Sequence, residues 1–163
     1  MNKSVIYPGS FDPVTLGHLD IIIRASKMFD HVVVAVLRNV AKDKPSFTVE
    51  ERIELLREAT KDLDNIEVVS FDGLLAEYAK KRNITTLVKG LRAVSDFEYE
   101  FQMALTNKML NPDLETVFLT TSSKNMYLSS SMVKQVASLG GDISSFVPSC
   151  VLDRIVDRLS AKE

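Results

Sequence analysis

One stretch decides the fold, and it reads Tyr7-Pro8-Gly9-Ser10-Phe11-Asp12-Pro13-Val14-Thr15-Leu16-Gly17-His18. It follows a short apolar run and precedes apolar residues at helical spacing, so the apolar period changes from strand-like to helix-like. This change, with two prolines and two glycines in the stretch, predicts a turn between a strand and a helix. His18 falls in the first turn of that helix. The exposed N–H groups and positive dipole end of a helix make such a turn a natural phosphate site.

The phosphate-binding loops of the dinucleotide-binding and P-loop proteins do not occur in this stretch. It contains Thr15-x-Gly17-His18 instead, which resembles the T/H-x-G-H signature of the adenylyl- and cytidylyltransferase superfamily. The full twelve-residue stretch, placed directly after the first predicted strand, makes the resemblance far more specific than the four residues alone.

Composition bounds the class of protein. The chain has 163 residues, which predicts one domain over 1–163, and a net charge of −2, which argues against nucleic acid as the main partner. No apolar run approaches the ~20 residues that span a membrane. The N-terminus enters a strand without a signal-peptide pattern, so we expect a cytoplasmic protein. The single cysteine, Cys150, excludes an internal disulfide and offers no metal cluster.

Strand-like and helix-like segments alternate along the whole chain. The predicted strands cover residues 5–7, 31–37, 66–69, 86–88 and 115–119, and the last helix covers about 149–160. Capping boxes at Thr48 and Ser95 predict two of the helix starts, and Ser129 to Ser131 predict another. The alternation predicts a single-domain α/β fold, with a doubly wound, five-stranded parallel sheet.

Ligands bind at the carboxyl ends of the strands in such sheets. We therefore expect four segments that follow strands to converge: residues 10–18, the loop containing Lys42, residues 89–92 and residues 129–131.

Several residues in these segments could carry chemistry, and each has a plainer alternative. His18 could donate a hydrogen bond to a phosphoryl oxygen, although a lone histidine is often structural. Lys42 could bind an anion or be solvated. Lys89 and Arg92, on either side of Gly90, could bind phosphate or solubilise a turn. The three serines could bind phosphate or simply cap a helix. The aromatic residues around 97–101 are expected in the core or a subunit contact.

The resemblance extends from end to end of the chain. Its markers resemble those of the bacterial phosphopantetheine adenylyltransferases: the stretch 7–18, Phe47-Thr-Val-Glu-Glu-Arg52, Lys89-Gly-Leu-Arg-Ala93, Asp96-Phe-Glu-Tyr-Glu100 and Leu128-Ser-Ser-Ser131. The resemblance implies a Rossmann-like nucleotidyltransferase fold. It also implies transfer of AMP from ATP to 4′-phosphopantetheine, giving dephospho-coenzyme A and pyrophosphate with Mg²⁺.

The resemblance further implies roles for individual residues. His18 and Lys42 would be catalytic, and phosphopantetheine would contact Ser10, Lys42, Leu75 and Lys89. ATP would contact Ser10, Phe11, His18, Gly90, Leu91, Arg92, Glu100, Asn125, Met126, Tyr127, Leu128, Ser129, Ser130 and Ser131. No acidic cluster marks a protein-only metal site, so Mg²⁺ is expected on the ATP phosphates. A homohexamer inhibited by coenzyme A is also implied.

Two departures from the family pattern stand out. Ser10 is often threonine in the family, which keeps the hydroxyl, and Lys89 is arginine in many members, which keeps the charge but not the bidentate geometry. Residues 125–127 lie in a variable part. Two other functions remain open: another small-molecule adenylyl- or cytidylyltransferase, for example one acting on nicotinate mononucleotide, and a non-catalytic sensor of ATP or coenzyme A.

Overall fold

The computed structural model describes residues 3–38 and 45–160. Five strands alternate with helices, and a sixth helix follows near the C-terminus. The elements are β1 (Ser4–Gly9), α1 (Leu16–Met28), β2 (His31–Leu37), α2 (Val49–Ala59), β3 (Ile66–Phe71), α3 (Leu75–Lys81), β4 (Thr86–Leu91), α4 (Val94–Leu110), β5 (Glu115–Thr120), α5 (Ser130–Ser138) and α6 (Leu152–Leu159). Short 3₁₀ turns cover Ser123–Asn125 and Ser149–Val151.

The strands form one parallel sheet in the order β3-β2-β1-β4-β5. Val34 of β2 pairs with Tyr7 of β1 on one side and with Val68 of β3 on the other. The chain therefore builds outward from β1 in both directions, and the direction changes between β1 and β4. The predicted α/β class and five-stranded parallel sheet are confirmed, and the β1–β4 boundary is where such sheets bind ligands.

Alternate residues of the central strands face two separate hydrophobic cores. Val5 and Tyr7 of β1 face a core that α1, α2, α5 and α6 cover, whereas Ile6 faces a smaller core that α3 covers. Both faces of the sheet are thus buried. This explains why β2 is an unbroken apolar run, as expected of a central parallel strand.

Several predicted boundaries differ from the structure. β1 and β3 each end two residues later than predicted, at Gly9 and Phe71, and the last helix begins at Leu152 rather than at 149. β4 continues to Leu91, three residues beyond the predicted end, because its pairing with β5 extends to Leu91 and Thr120. Ser129 to Ser131 together predict the start of α5, and the structure places that start at Ser130, with Ser129 as the cap. The predicted capping box at Ser95 is wrong, since α4 begins at Val94 without a side-chain cap.

The last helix lies against α2. Arg154 of α6 donates to Glu54 at 2.8 Å, and the Arg158 guanidinium lies 5.6 Å from the centre of the Phe47 ring. The predicted loop that contains Lys42 lies outside the described residues. Among the helices that the structure describes, none has the length and apolar character needed to cross a membrane.

Candidate active site

A cavity of about 490 Å³ opens at the carboxyl ends of β1 and β4. The structure brings most of the predicted site residues to its walls, although they are far apart in sequence. The predicted residues that line it are Ser10, Phe11, His18, Lys89, Gly90, Arg92, Glu100, Leu128, Ser129, Ser130 and Ser131. Leu91, Asn125, Met126 and Tyr127 do not line it, and Lys42 lies outside the described residues.

A second cavity of about 460 Å³ adjoins the first. Leu75 lines this second cavity, together with other apolar residues of β2, α3 and α4. Six residues line both cavities and form the wall between them: Pro8, Gly9, Ser10, Lys89, Tyr99 and Glu100. A polar chamber and a more apolar chamber therefore meet at one lysine and one carboxylate.

The first turn of α1 fixes the orientation of His18. Thr15 is the N-cap: its hydroxyl accepts a hydrogen bond from the His18 backbone N–H at 3.2 Å. The Thr15 backbone N–H in turn donates to His18 Nδ1 at 3.0 Å, which completes a capping box. Since Nδ1 accepts this bond, the network assigns the ring proton of neutral His18 to Nε2. His18 lines the cavity with that donor available.

The surrounding protein keeps His18 neutral. Desolvation by burial is the main cause that lowers the pKa of His18 to about 4, and the positive charges of Arg92 and Lys89 lower it further. The imidazole is therefore an uncharged hydrogen-bond donor at neutral pH. Its Nε2–H can donate a hydrogen bond to an oxygen on which negative charge develops.

The turn between β1 and α1, residues 10–15, is called the binding turn below. It contains a non-glycine residue in the left-handed region. Phe11 has a φ of +50°, and its buried ring lies edge-on to Tyr7 and to His18, with ring centres 5.4 and 5.0 Å apart. A Cβ on Gly9 would lie 2.9 Å from that ring, so glycine is needed there. Strained backbone of this kind often occurs where a ligand is bound.

Two helix N-termini point unpaired N–H groups at the cavity. The Gly17 N–H of α1 has no acceptor among the described residues, and neither has the Ser131 N–H of α5. The sequence left open whether the three serines cap a helix or bind phosphate, and two of their hydroxyls make contacts within the protein. The Ser129 hydroxyl caps α5 by accepting from the Met132 N–H, and the Ser130 hydroxyl donates to the Pro13 carbonyl at 2.7 Å.

Each cation in the cavity is paired with a carboxylate. Lys89 lies 3.2 Å from Glu100, and Arg92 binds both carboxylate oxygens of Asp96, at 2.9 and 3.2 Å. Arg92 also donates to the Leu128 carbonyl at 2.8 Å, which ties the end of β4 to the start of α5. The predicted clustering of Lys89 and Arg92 is therefore seen, with the charges already balanced.

Gly90 serves the packing of α1. A Cβ at this position would lie 3.1 Å from Ile21 Cγ1, so the missing side chain lets α1 approach β4 closely. The resemblance implies that Gly90 contacts ATP, and the structure gives a packing reason for the glycine as well.

Sequence reasoning missed several residues of the site. Asp12 is buried and accepts hydrogen bonds from the Ser46 and Phe47 N–H groups and from Lys134 Nζ at 3.2 Å. Lys134 and Tyr99 also line the first cavity. The available signal for Lys134 was its place one turn after the three serines, on the same side of α5.

Arg52 was also missed; it lines neither cavity but donates a hydrogen bond to the Ser10 carbonyl behind the site. The apolar spacing of α2 predicts an inner face of Val49, Ile53, Leu56 and Ala59. The structure buries Val49 and Leu56 and packs a half-buried Ile53 against the same core, but it also buries Leu55 and Arg52. Arg52 is three residues from Val49 and four from Leu56, so its helical position already predicted an inward-facing charge. Among the described residues, no group of three or more histidine, cysteine or acidic side chains is placed to hold a metal ion.

Comparison with known proteins places the chain among its relatives. A family model described as cytidylyltransferase-like matches residues 6–136. The phosphopantetheine adenylyltransferase of Caldanaerobacter subterraneus is 62% identical over 96% of this chain and 97% of its own length. Proteins of the same name from Lachnoclostridium phytofermentans and Clostridium botulinum are 55% and 56% identical, over 98% and 96% of this chain and 98% of each relative.

Solved structures share the fold at much lower identity. A protein of Vibrio parahaemolyticus described as a nicotinate-nucleotide adenylyltransferase superposes with a TM-score of 0.68 at 19% identity, over 99% of this chain and 100% of its own. A Plasmodium falciparum nicotinic acid mononucleotide adenylyltransferase has a TM-score of 0.68 at 15% identity, over 96% of both chains. These two show the fold alone, whereas the close relatives confirm the resemblance expected from the markers. The chain therefore belongs to the phosphopantetheine adenylyltransferases, a family of cytidylyltransferase-like nucleotidyltransferases.

Proposed function

We propose that this chain transfers the adenylyl group of ATP to 4′-phosphopantetheine, releasing pyrophosphate and dephospho-coenzyme A. The observation that carries the proposal is the shared wall of the two cavities, which includes Ser10, Lys89 and Glu100. A nucleotide in the polar chamber and an acceptor with an apolar arm in the second chamber would meet there. Lys89 would hold the acceptor phosphate, and Leu75 would contact its arm.

The reaction needs positioning and charge stabilisation more than proton transfer. An oxygen of the acceptor phosphate attacks the α-phosphorus of ATP, and the bond from that phosphorus to the bridging oxygen of pyrophosphate breaks in line. Pyrophosphate leaves with the bonding electron pair, so no general base is required. The neutral His18 Nε2–H donates to an α-phosphate oxygen as negative charge develops on it.

The remaining residues hold the triphosphate and the nucleoside. The Phe11 backbone, Arg92 and the N-terminus of α5 at Ser129 to Ser131 bind phosphate oxygens. Leu128, which lines the first cavity, contacts the nucleoside, and we keep residues 125–127 as further contacts although they do not line that cavity. Lys42, with Lys89, binds the attacking phosphate. Binding two polyanions displaces the carboxylates Glu100 and Asp96 from their cations, because phosphate competes for the same donors.

Mg²⁺ is proposed to enter with ATP. The carboxylates that line the first cavity each form an ion pair with a lysine or arginine side chain. Mg²⁺ commonly keeps several of its own waters and binds through substrate phosphates. When bound, the ion supplies charge neutralisation on the triphosphate. We also propose that the enzyme works in the cytoplasm.

We propose that the protein is a homohexamer and that coenzyme A inhibits it. An exposed apolar stripe on α4, formed by Phe97, Phe101, Leu105 and Met109 at intervals of four residues, supports a subunit contact. Coenzyme A contains both a pantetheine arm and an adenylate group, so it would compete for both cavities.

The experiment that tests the function measures pyrophosphate release from ATP and Mg²⁺, with 4′-phosphopantetheine, nicotinate mononucleotide or no acceptor. We expect release only with phosphopantetheine, and dephospho-coenzyme A as the product by mass. Release with nicotinate mononucleotide alone would keep the nucleotidyltransferase class and reject the acceptor. A folded protein that binds ATP and releases pyrophosphate with neither acceptor would be a sensor instead.

A further inference from the structure

Arg52 is a buried charge that lines neither cavity. Its side chain lies on the inner face of α2, with 5% of the residue exposed, where an apolar side chain would be the ordinary choice. Burial lowers the pKa of Arg52, and nearby Asp12 and Glu50 raise it. An arginine is kept charged in proteins in any case. Such a buried cation calls for a reason beyond packing.

The partners of Arg52 give that reason. Its Nη1 donates to the Ser10 carbonyl at 2.8 Å and lies 3.5 Å from the Leu37 carbonyl, and its Nε donates to the Thr48 carbonyl at 3.3 Å. One guanidinium thus joins the binding turn, the end of β2 and the cap of α2. The shortest of the three bonds goes to the turn.

The bond to Ser10 constrains the next N–H group. The carbonyl of Ser10 and the N–H of Phe11 belong to one planar peptide, and in a trans peptide they point in opposite directions. The Asp12–Pro13 bond is the cis peptide of the described residues, so the Ser10–Phe11 peptide is trans. With the carbonyl drawn toward α2, the N–H of Phe11 faces away from α2. No described residue accepts a hydrogen bond from it.

We propose that Arg52 is a positioning residue that holds the Ser10–Phe11 peptide so that the Phe11 N–H donates to an ATP phosphate oxygen. The left-handed φ of Phe11 contributes to the same arrangement, because the strained turn orients the Phe11 N–H. The hydrogen bond from Arg52 to the Ser10 carbonyl keeps the Ser10–Phe11 peptide in that orientation. Asp12 secures the other side of the turn by accepting the Ser46 and Phe47 N–H groups.

The kinetic test compares Arg52→Met, Arg52→Lys and Arg57→Met, and it rests on the proposed function. Arg57 is a matched control, because it also lies on α2 and donates to a backbone carbonyl, that of Val68 at 3.3 Å, away from both cavities. Misplacing a donor should lower kcat of Arg52→Met by up to ~10²-fold, with the KM for phosphopantetheine within about threefold. Arg52→Lys should recover most of kcat, and Arg57→Met should match the wild type.

A nuclear magnetic resonance measurement tests the geometry without turnover. In ¹⁵N-labelled wild-type protein, ATP and Mg²⁺ without acceptor should move the Phe11 amide proton downfield, as expected for a hydrogen bond to an anion. The same titration of Arg52→Met should lose that shift.

The outcomes separate the two proposals. A folded Arg52→Met variant with wild-type kcat, or an unchanged Phe11 shift in it, would overturn the inference. If Arg52→Met does not fold, the wild-type titration still decides, because an unmoved Phe11 amide in ATP-bound protein overturns the inference. A Phe11 shift in a wild-type protein that turns over no acceptor would support the inference and reject the proposed function.

Discussion

His18 Nδ1 is occupied by the Thr15 N–H, so Nε2–H is the ring's one donor toward the cavity. His18→Asn keeps an acceptor near the Nδ1 position, which preserves the cap, and removes the Nε2 donor. We expect kcat to fall ~10²–10³-fold, as for loss of one transition-state donor, with the ATP affinity changed by less than about threefold. Steady-state kinetics and ATP titration measure the two effects.

His31 is the matched control, since the chain has two histidines. It lies at the start of β2, 3.4 Å from Glu67, and it lines neither cavity. His31→Asn should therefore retain the wild-type kcat. A large loss of ATP affinity in His18→Asn, with kcat unchanged, would mean that His18 binds the ground state instead.

The low pKa of His18 also predicts how stability depends on pH. In the unfolded chain the histidine titrates near its ordinary pKa of about 6.5, but in the folded protein near about 4. Between these values the unfolded state binds a proton that the folded state does not, so stability is lost as the pH falls. The contribution of His18, present in full above pH 6.5, should shrink by about 3 kcal/mol on reaching pH 4.

Urea unfolding of the ligand-free protein at pH 7.5 and pH 4.5 tests this linkage. The difference in unfolding free energy between wild type and His18→Asn should be smaller at the lower pH. An equal difference at both pH values would show that His18 titrates alike in the two states.

Among the helices and strands, α5 carries serines that we expect to affect both the stability of the fold and the binding of ATP. Ser129 caps the helix, and Ser130 ties it to the binding turn. Ser129→Ala should cost about 1 kcal/mol of unfolding free energy, the usual effect of losing an N-cap. It should also raise the KM for ATP, because the N–H groups at the start of α5 face the cavity.

Ser138→Ala is the control at the other end of α5. Its exposed hydroxyl donates within the helix, to the Gln135 carbonyl, so stability and KM should stay near the wild type. Urea unfolding and ATP kinetics on both variants separate the two effects. Loss of stability in Ser129→Ala with an unchanged KM for ATP would show that Ser129 caps the helix but does not contribute to ATP binding.

The elements also show what the sequence could and could not predict. The period of the apolar residues was sufficient for five strands and their order along the chain, because both faces of this sheet are buried. The end of β4 was missed because Lys89 and Gly90 are poor strand formers, held in the strand by pairing with β5. The start of α4 was missed because Ser95-x-x-Glu98 matches a capping box, whereas the helix already begins at Val94, one residue before that serine.

Residues of the candidate site could be predicted where a sequence motif marks the end of a strand. They could not be predicted where contacts between distant parts of the chain bring a residue to the site. The stretch 7–18 and the segment 89–92 could be placed from local pattern and sheet topology. Asp12 accepts a hydrogen bond from the Ser46 N–H, 34 positions away, and Arg52 donates one to the Ser10 carbonyl, 42 positions away. No local sequence pattern reveals such contacts. The roles assigned to individual residues, and the span of one domain over 1–163, remain predictions.

For the whole molecule, the apolar stripe of α4 predicts association. Leu105 and Met109 are 52% and 85% exposed, so glutamate at both positions should leave the fold of one subunit intact. The wild type should have about six times the 18.2 kDa mass of one chain in sedimentation equilibrium, and Leu105→Glu/Met109→Glu should have a smaller mass.

Leu139→Glu is the control for that experiment. Leu139 is 81% exposed at the end of α5, away from the stripe, so this variant should keep the mass of the wild type. A double variant that sediments like the wild type would place the subunit contact elsewhere. A wild type of a single-chain mass would reject the hexamer.

The central position of β1 has a consequence for synthesis on the ribosome. Its residues leave the exit tunnel before those of the other four strands, and β2 and β3 follow early enough to pair with it while translation continues. The other edge of β1 must wait for β4, which begins at Thr86. Because the cavity is lined by residues from Tyr7 to Lys134, a nascent chain acquires its binding site only after α5 has been translated as far as Lys134.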